Sequence, residues 1–134
     1  MRRVLYWLLQ CSWGILQTLA GGAVCLCQGR CRREWYRSAL VTYWRREAGL
    51  SLGPFIFLPE NRGRLVVHEY GHTIQSLILG PLFLPLIGVP SALWAGLPAM
   101  TRLRRRRRMS YFALPPERWA NRLGQRVTGE RPPR

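Results

Sequence analysis

The chain has 134 residues with a formal net charge of +15, and 48% of its residues are hydrophobic. This length is enough for one domain. All 21 basic residues are arginine and all six acidic residues are glutamate, which excludes any metal site that needs an aspartate ligand.

Charged and apolar residues are separated into blocks along the chain. Residues 4–29 and 73–101 contain no charged residue, whereas the segments between and after them are rich in arginine. A helix needs about twenty apolar residues to cross a bilayer, so both runs are long enough. The pattern predicts a small, mainly α-helical membrane protein in contact with membrane lipid.

The first 29 residues have a basic start and an apolar body, and we expect one uncleaved N-terminal transmembrane helix there. A signal peptide is the alternative, but its apolar part is usually shorter and a small-residue cleavage site follows it. The four cysteines are Cys11, Cys25, Cys27 and Cys31. They lack the Cys-x2-Cys spacing of zinc knots, so we interpret them as thiols at the membrane edge.

Residues 30–63 form a basic loop with two short apolar runs, SALVTYWRR and SLGPFIFLP. Two β-branched and aromatic runs around a short glycine-bearing loop predict a β-hairpin. Such a hairpin beside an active-site helix would offer an extended substrate an edge for pairing. The alternative is a lid-like loop that only packs on the helix, which Pro54 favours because it interrupts the second run.

The sequence HEYGH contains the only two histidines, His68 and His72, with Glu69 between them. A helix is predicted over 65–79, where a Gly-Pro pair ends it. Residues four apart share one face of a helix, so both imidazoles can bind one zinc ion. Glu69 would take a proton from the zinc-bound water and pass it to the leaving amine. The alternative is a pair of polar histidines on an interfacial helix, with Glu69 as their counter-ion.

The second uncharged run contains several prolines and glycines over 81–98. A broken or re-entrant segment fits better than a straight spanning helix, because protein or water can satisfy irregular backbone at membrane depth. An arginine run at 102–108 follows. We interpret it as a positive-inside anchor attracted to anionic lipid; nucleic-acid binding is the weaker alternative.

A catalytic zinc site needs three protein ligands and one open position, so the histidines need a third ligand. Glu117 is the best candidate, on a short predicted C-terminal helix; the alternative is an exposed ion pair with a nearby arginine. Asn121 shares its face and would hydrogen-bond one histidine and fix its ring.

Gln75 would line the site or hold its helix against Asn121. Cys31 is a weaker third-ligand candidate, and Tyr70, Tyr111 or an arginine would stabilise the oxyanion.

The HEYGH motif is similar to the zinc-binding helix of metallopeptidases. With the apolar residues that follow, it resembles the motif of the site-2 proteases, which are expected to take a later aspartate as third ligand; this chain has none. The spacing of Glu117 and Asn121 instead resembles gluzincins, in which a glutamate on a second helix completes the site. An acid four residues later orients a histidine in that family, and asparagine stands in its place here.

A wider resemblance covers roughly residues 50–125. Small bacterial membrane proteins of unknown activity carry His-Glu-Tyr-Gly-His-Thr-x-Gln-Ser, then Gly-Pro, then Pro-Ser, and later Glu-x-x-Ala-Asn. This chain has these motifs at 68–76, 80–81, 90–91 and 117–121. The resemblance implies that the histidine motif works with Glu117 and Asn121, and it supplies no substrate.

We therefore expect a mainly α-helical membrane protein in four parts. These are an N-terminal transmembrane helix (1–29), a basic loop with a β-hairpin (30–63), a membrane-embedded zinc-binding domain (64–125) and a disordered basic tail (126–134). Gly124 is expected to cap the last helix. Arginine counting favours cytoplasmic termini if both apolar runs span.

The expected function is a membrane-embedded zinc metallopeptidase of the bacterial inner membrane, which hydrolyses a protein or peptide substrate with a zinc-activated water. The alternative is a non-catalytic membrane interaction or assembly protein, with or without structural zinc. Replacing Glu69 distinguishes the two, because only the peptidase needs a proton acceptor beside the metal.

Overall fold

The computed structural model describes residues 2–61 and 63–134. They form a mainly helical protein with a small mixed sheet. The α-helices are α1 (Arg3–Ser12), α2 (Ile15–Cys27), α3 (Leu65–Leu79), α4 (Val89–Gly96), α5 (Pro98–Arg107) and α6 (Pro115–Thr128). The strands are β1 (Arg33–Tyr36), β2 (Ala39–Tyr43), β3 (Leu50–Leu52) and β4 (Phe55–Leu58). Short 3-10 turns lie at Gly80–Leu82 and Tyr111–Ala113, and a π-helical turn at Leu84–Gly88 runs directly into α4.

The first apolar run forms two helices, so the prediction of a single helix over 1–29 is wrong. α1 and α2 meet at an angle of 103°. Gln10 and Gln17 are fully buried, and a buried amide needs hydrogen-bond partners. Gln10 donates to the backbone oxygen of Thr73 at 3.1 Å, and Gln17 donates to that of Gly80 at 2.9 Å. Each of the two helices thus supplies a polar side chain to α3 or to the turn that follows it.

Within the described residues, no helix taken alone has both the length and the hydropathy needed to cross a membrane. Two bent pairs satisfy both conditions when their helices are taken together: α1 with α2, and the Leu84–Gly96 helix with α5, which are bent by 75°.

The second apolar run is broken, as its prolines predict. Leu97 is extended (φ −74°, ψ 125°) and precedes Pro98, a position at which proline disfavours helical backbone. This residue ends α4 and separates it from α5.

The sheet corrects the predicted β-hairpin. Its strand order is β1-β2-β4-β3, with antiparallel pairs β1–β2 and β3–β4 joined by a parallel pair, β2–β4. The two apolar runs therefore do not form one hairpin with each other; the second run folds into a hairpin of its own. Gly53 has φ +58°, a left-handed conformation that favours glycine, and Pro54 follows it in the turn. Pro54 thus lies between two strands instead of interrupting one.

Helix α3 packs on the face of the sheet that also contacts α1. Tyr6, Tyr70 and Ile74 form one core cluster with sheet residues Val41 and Ile56. The opposite face contributes Phe57 and Trp44 to a second cluster, with Cys25 of α2. The sheet is covered on both faces, and β3 lies at its edge next to α3.

Helices α3 and α6 pack closely because two glycines lie at their contact. A Cβ atom on Gly71 would clash with the backbone oxygen of Ala120, and one on Gly124 would clash with that of Val67. Gly124 is therefore inside α6, which corrects its predicted role as a cap. Gly129, in a left-handed conformation (φ +74°), ends the helix after Thr128, inside the segment predicted to be a disordered tail.

We predict that Gly124→Ala lowers the thermal midpoint of unfolding by several degrees. The added methyl group meets a backbone carbonyl that cannot move aside, and such overpacking costs about 1–3 kcal/mol. Gly96→Ala is the matched control, because among the described residues no atom beyond its chain neighbours and its own helix backbone lies within 4 Å of its Cβ position. Circular dichroism melts of the detergent-purified variants measure the difference, and equal midpoints would show that the α3–α6 contact is not tight.

Candidate metal centre

The central part of α3 is buried on every side. All residues from Val67 to Ser76 are buried, including six polar or charged side chains. Burying polar groups costs free energy unless they are paired. His68 and His72 lie within this stretch and are 1% and 7% exposed, so their partners define the site.

Glu117 of α6 meets both histidines and is fully buried. Its Oε2 lies 3.0 Å from His68 Nε2 and 3.4 Å from His72 Nε2, and the two Nε2 atoms are 3.2 Å apart. Among the described residues, this trio is the group of His, Cys, Asp and Glu side chains that could hold a metal ion. In a zinc tetrahedron with bonds of about 2.0–2.1 Å, ligand atoms lie about 3.3 Å apart. The three atoms are therefore spaced as three corners of such a tetrahedron.

The other ring nitrogens of the histidines are held by amide oxygens. His68 Nδ1 lies 2.8 Å from Asn121 Oδ1, and His72 Nδ1 lies 2.7 Å from Gln75 Oε1. The Gln75 amide nitrogen donates to the backbone oxygen of Pro116 at 2.9 Å, so Gln75 ties α3 to the start of α6 and not to Asn121. An amide oxygen only accepts, so each Nδ1 donates its hydrogen. When a ring is neutral, its Nε2 then has a lone pair that could bind a metal.

The buried charges shift the pKa values of the trio. Burial by itself would raise the pKa of Glu117, but hydrogen bonds from His68 and His72 outweigh it and hold that pKa well below its usual range. Burial would lower the pKa of His72, whereas the hydrogen bond to Glu117 and the charges of Glu69 and Glu117 raise it above its usual value. Without a metal, the site thus favours a carboxylate that faces a protonated imidazole.

Glu69 is not a member of this trio, and its carboxylate is held by the edge strand. The Ser51 hydroxyl of β3 lies 2.6 Å from Glu69 Oε2 and 2.9 Å from the Glu69 backbone oxygen. Gly49 packs against the same carboxylate, where a side chain would clash. Sequence reasoning missed both residues, because their contacts join segments about twenty residues apart and neither residue type indicates such a role.

Glu69 and His72 border a cavity of about 300 Å³ between β3 and the Leu84–Gly96 helix. Tyr111 also lines it; burial and the charges of Glu117 and Glu69 raise its pKa, so its hydroxyl stays protonated and can donate. Tyr70 instead stacks on Tyr6 in the core, with ring centroids 6.3 Å apart. Of the two tyrosines predicted for the oxyanion, Tyr111 is thus the one beside the cavity.

The other predicted candidates, Cys31 and Arg104 among the arginines, belong neither to the trio nor to the cavity lining. The Cys31 thiol hydrogen-bonds to the backbone oxygen of Gln28 at 3.0 Å, and all four cysteines are free. Arg104 stacks over the rings of Trp94 and Tyr111, at 5.2 and 5.3 Å from their centroids.

Ser91 of α4, which had no predicted role, lies beside Glu117, where its hydroxyl helps to lower the carboxyl pKa.

No family model, curated protein or solved structure matches the chain. The function is therefore inferred from the residues and their geometry.

We predict that the purified protein binds one divalent ion per chain and that Glu117→Ala lowers this occupancy at least tenfold. Loss of the carboxylate removes one of three ligands and the negative charge that faces the ion. Metal analysis after dialysis against zinc measures the occupancy. Glu130→Ala, at an exposed glutamate, is the control. Equal occupancy in all three proteins would mean that Glu117 is not a ligand.

We also predict that metal affinity falls as the pH is lowered. The raised pKa of His72 means that a proton occupies the metal-binding nitrogen at a higher pH than in an ordinary histidine. Below that pKa, each pH unit weakens binding about tenfold per displaced proton. Competition titrations with a zinc chelator between about pH 5.5 and 8.5 measure this dependence. Glu117→Gln removes the Glu117 carboxylate, which raises the pKa of His72, and leaves the smaller effects of Glu69 and Gln75. The steep region should therefore move to lower pH; an unchanged profile would contradict the assigned cause.

Proposed function

We propose that this protein is a membrane-embedded zinc metallopeptidase, with zinc held by His68, His72 and Glu117. The observation that carries the proposal is the buried triangle of two imidazole nitrogens and one carboxylate oxygen, with a second carboxylate, Glu69, beside it. Two histidines and a glutamate, with one position left open, are the ligand set of one class of catalytic zinc sites.

A zinc ion in this site would acidify a bound water and polarise a peptide carbonyl. Glu69 borders the cavity from which a peptide would approach. It would accept the proton of the water and deliver it to the leaving amine. Ser51 fixes the Glu69 carboxylate, and the protonated hydroxyl of Tyr111 is available to donate to the oxyanion.

Exposed leucines on both bent helix pairs support a location in the membrane. Leu8, Leu19 and Leu26 of α1 and α2 are 62%, 64% and 82% exposed, and Leu86 and Leu93 on the other pair are about half exposed. Exposed apolar surface of this extent marks a contact with lipid or protein. The arginine run at the end of α5 would then lie near lipid headgroups, and the bacterial inner membrane is the proposed location.

We predict that Glu69→Gln retains zinc and cleaves peptides about 10²- to 10⁴-fold more slowly than the wild type, because a general base usually contributes that much to the rate. Mass spectrometry of a diverse peptide mixture, incubated with zinc-loaded protein in detergent, measures cleavage. Glu60→Gln, at an exposed loop position, is the matched control and should behave as wild type.

Two results would contradict the proposal. Cleavage by Glu69→Gln at the wild-type rate would remove Glu69 from the mechanism. A zinc-loaded wild type that cleaves nothing would favour a non-catalytic membrane interaction protein with a structural metal.

A further inference from the structure

One wall of the cavity beside Glu69 is the free edge of the sheet. Four consecutive residues, from Gly49 to Leu52, line the cavity. A strand that presented a face would contribute every second residue, because successive side chains alternate; consecutive lining residues mean that the edge borders the cavity. β3 pairs with β4 alone in the sheet order, and an edge strand offers backbone N–H and C=O groups for pairing.

The opposite wall is the Leu84–Gly96 helix, which turns small residues toward the cavity. Gly88, Ser91, Ala92 and Ala95 all line it. They recur three to four positions apart, so they share one face of the helix. The same helix also contributes the larger side chains of Leu84, Ile87 and Val89, so the wall combines a stripe of small residues with apolar ones.

The cavity contains little charge, although the chain carries +15. Its described lining includes no arginine, and its ionisable members are Glu69, His72 and Tyr111. The other lining residues are mainly apolar, among them Leu50, Phe83 and Ile87, the last two on the helical side of the cavity. Apart from Glu69, which the proposed chemistry uses, the lining offers a charged substrate side chain no partner in exchange for its lost hydration.

We propose that this cavity binds an extended, uncharged polypeptide segment, which pairs its backbone with β3 and places small or apolar side chains against the Leu84–Gly96 helix. A volume of about 300 Å³ lies at the lower end of ligand pockets, so a short stretch of the segment occupies it. Strand addition gives affinity through the main chain, and the alternate side chains give selectivity. As a statement of substrate class, the proposal rests on the proposed peptidase function.

Binding to the zinc-loaded Glu69→Gln protein tests the proposal without turnover. The probe is a capped peptide of alternating alanine and valine with an N-terminal fluorophore, and fluorescence anisotropy in detergent measures its Kd. The peptide is then N-methylated at one backbone position at a time. In strand pairing, alternate residues face the partner strand, so methylation at every second position should raise Kd at least tenfold and at the intervening positions much less.

Two further comparisons complete the test. Replacing a central alanine of the probe with arginine or glutamate should raise Kd at least tenfold. Ala92→Trp, which fills the cavity, should weaken binding of the original probe and leave zinc content unchanged. Ala99→Trp, at an exposed α5 position outside the cavity lining, is the control and should bind as the parent does.

The proposal is overturned if the probe does not bind, if methylation shows no alternation, if charged probes bind equally well, or if the two tryptophan variants behave alike. Cleavage of the same probes by the wild type separates this result from the proposed function. If the probes are cleaved but N-methylation shows no alternating effect on Kd, the peptidase function is supported and strand pairing in the cavity is not. If N-methylation shows the alternating effect but no probe is cleaved, the cavity binds peptide and the peptidase function is contradicted.

Discussion

The close approach of α3 and α6 is the constraint on which the centre depends. Gly71 and Gly124 let each helix touch a backbone carbonyl of the other. Glu117 and Asn121 lie on the α6 face that contains Gly124, so the approach that the glycines allow also sets the reach of these side chains to His68. A shift of about 1 Å between the helices would leave Glu117 buried without its partners, which is far more costly than losing an exposed ion pair.

The same burial accounts for the contacts between α3 and the N-terminal helices. α3 has buried polar groups all round its middle, and α6 can satisfy one side only. Other polar groups of α3 bond to α1 and α2. The Gln17 amide nitrogen donates to the Ser76 hydroxyl at 2.8 Å, and that hydroxyl donates to Gln10 Oε1 at 3.0 Å. These bonds connect the apolar N-terminal helices to the same helix that carries His68 and His72.

Local patterns in the sequence predict the helices well and the long-range contacts poorly. The predicted range 65–79 agrees with α3, because a Gly-Pro pair follows a long helical stretch and marks its end. The face shared by Glu117 and Asn121 also follows from helical spacing.

The parallel β2–β4 pair does not follow from the sequence pattern, since two adjacent apolar runs look like a hairpin unless the Gly53 turn is recognised inside the second run. Gly124 was mistaken for a cap because a glycine that lets helices touch and a glycine that ends a helix look alike in sequence. The contact between Ser51 and Glu69 could not be predicted, because it depends on how the face of β3 packs on α3.

Charge gives a further reason to regard the centre as a cation site. The chain is strongly basic, and a protein of net charge +15 repels a divalent ion in general. Yet two of its six glutamates, Glu69 and Glu117, are buried at this one place, beside two imidazoles. Burying one carboxylate is costly, and burying two near each other is more so unless positive charge compensates. In the metal-free protein, the raised pKa of His72 supplies part of that charge as a proton. A divalent ion would supply it more completely and would leave both Nδ1 hydrogen bonds intact, so the buried acids and the oriented imidazoles form a group that could hold such an ion.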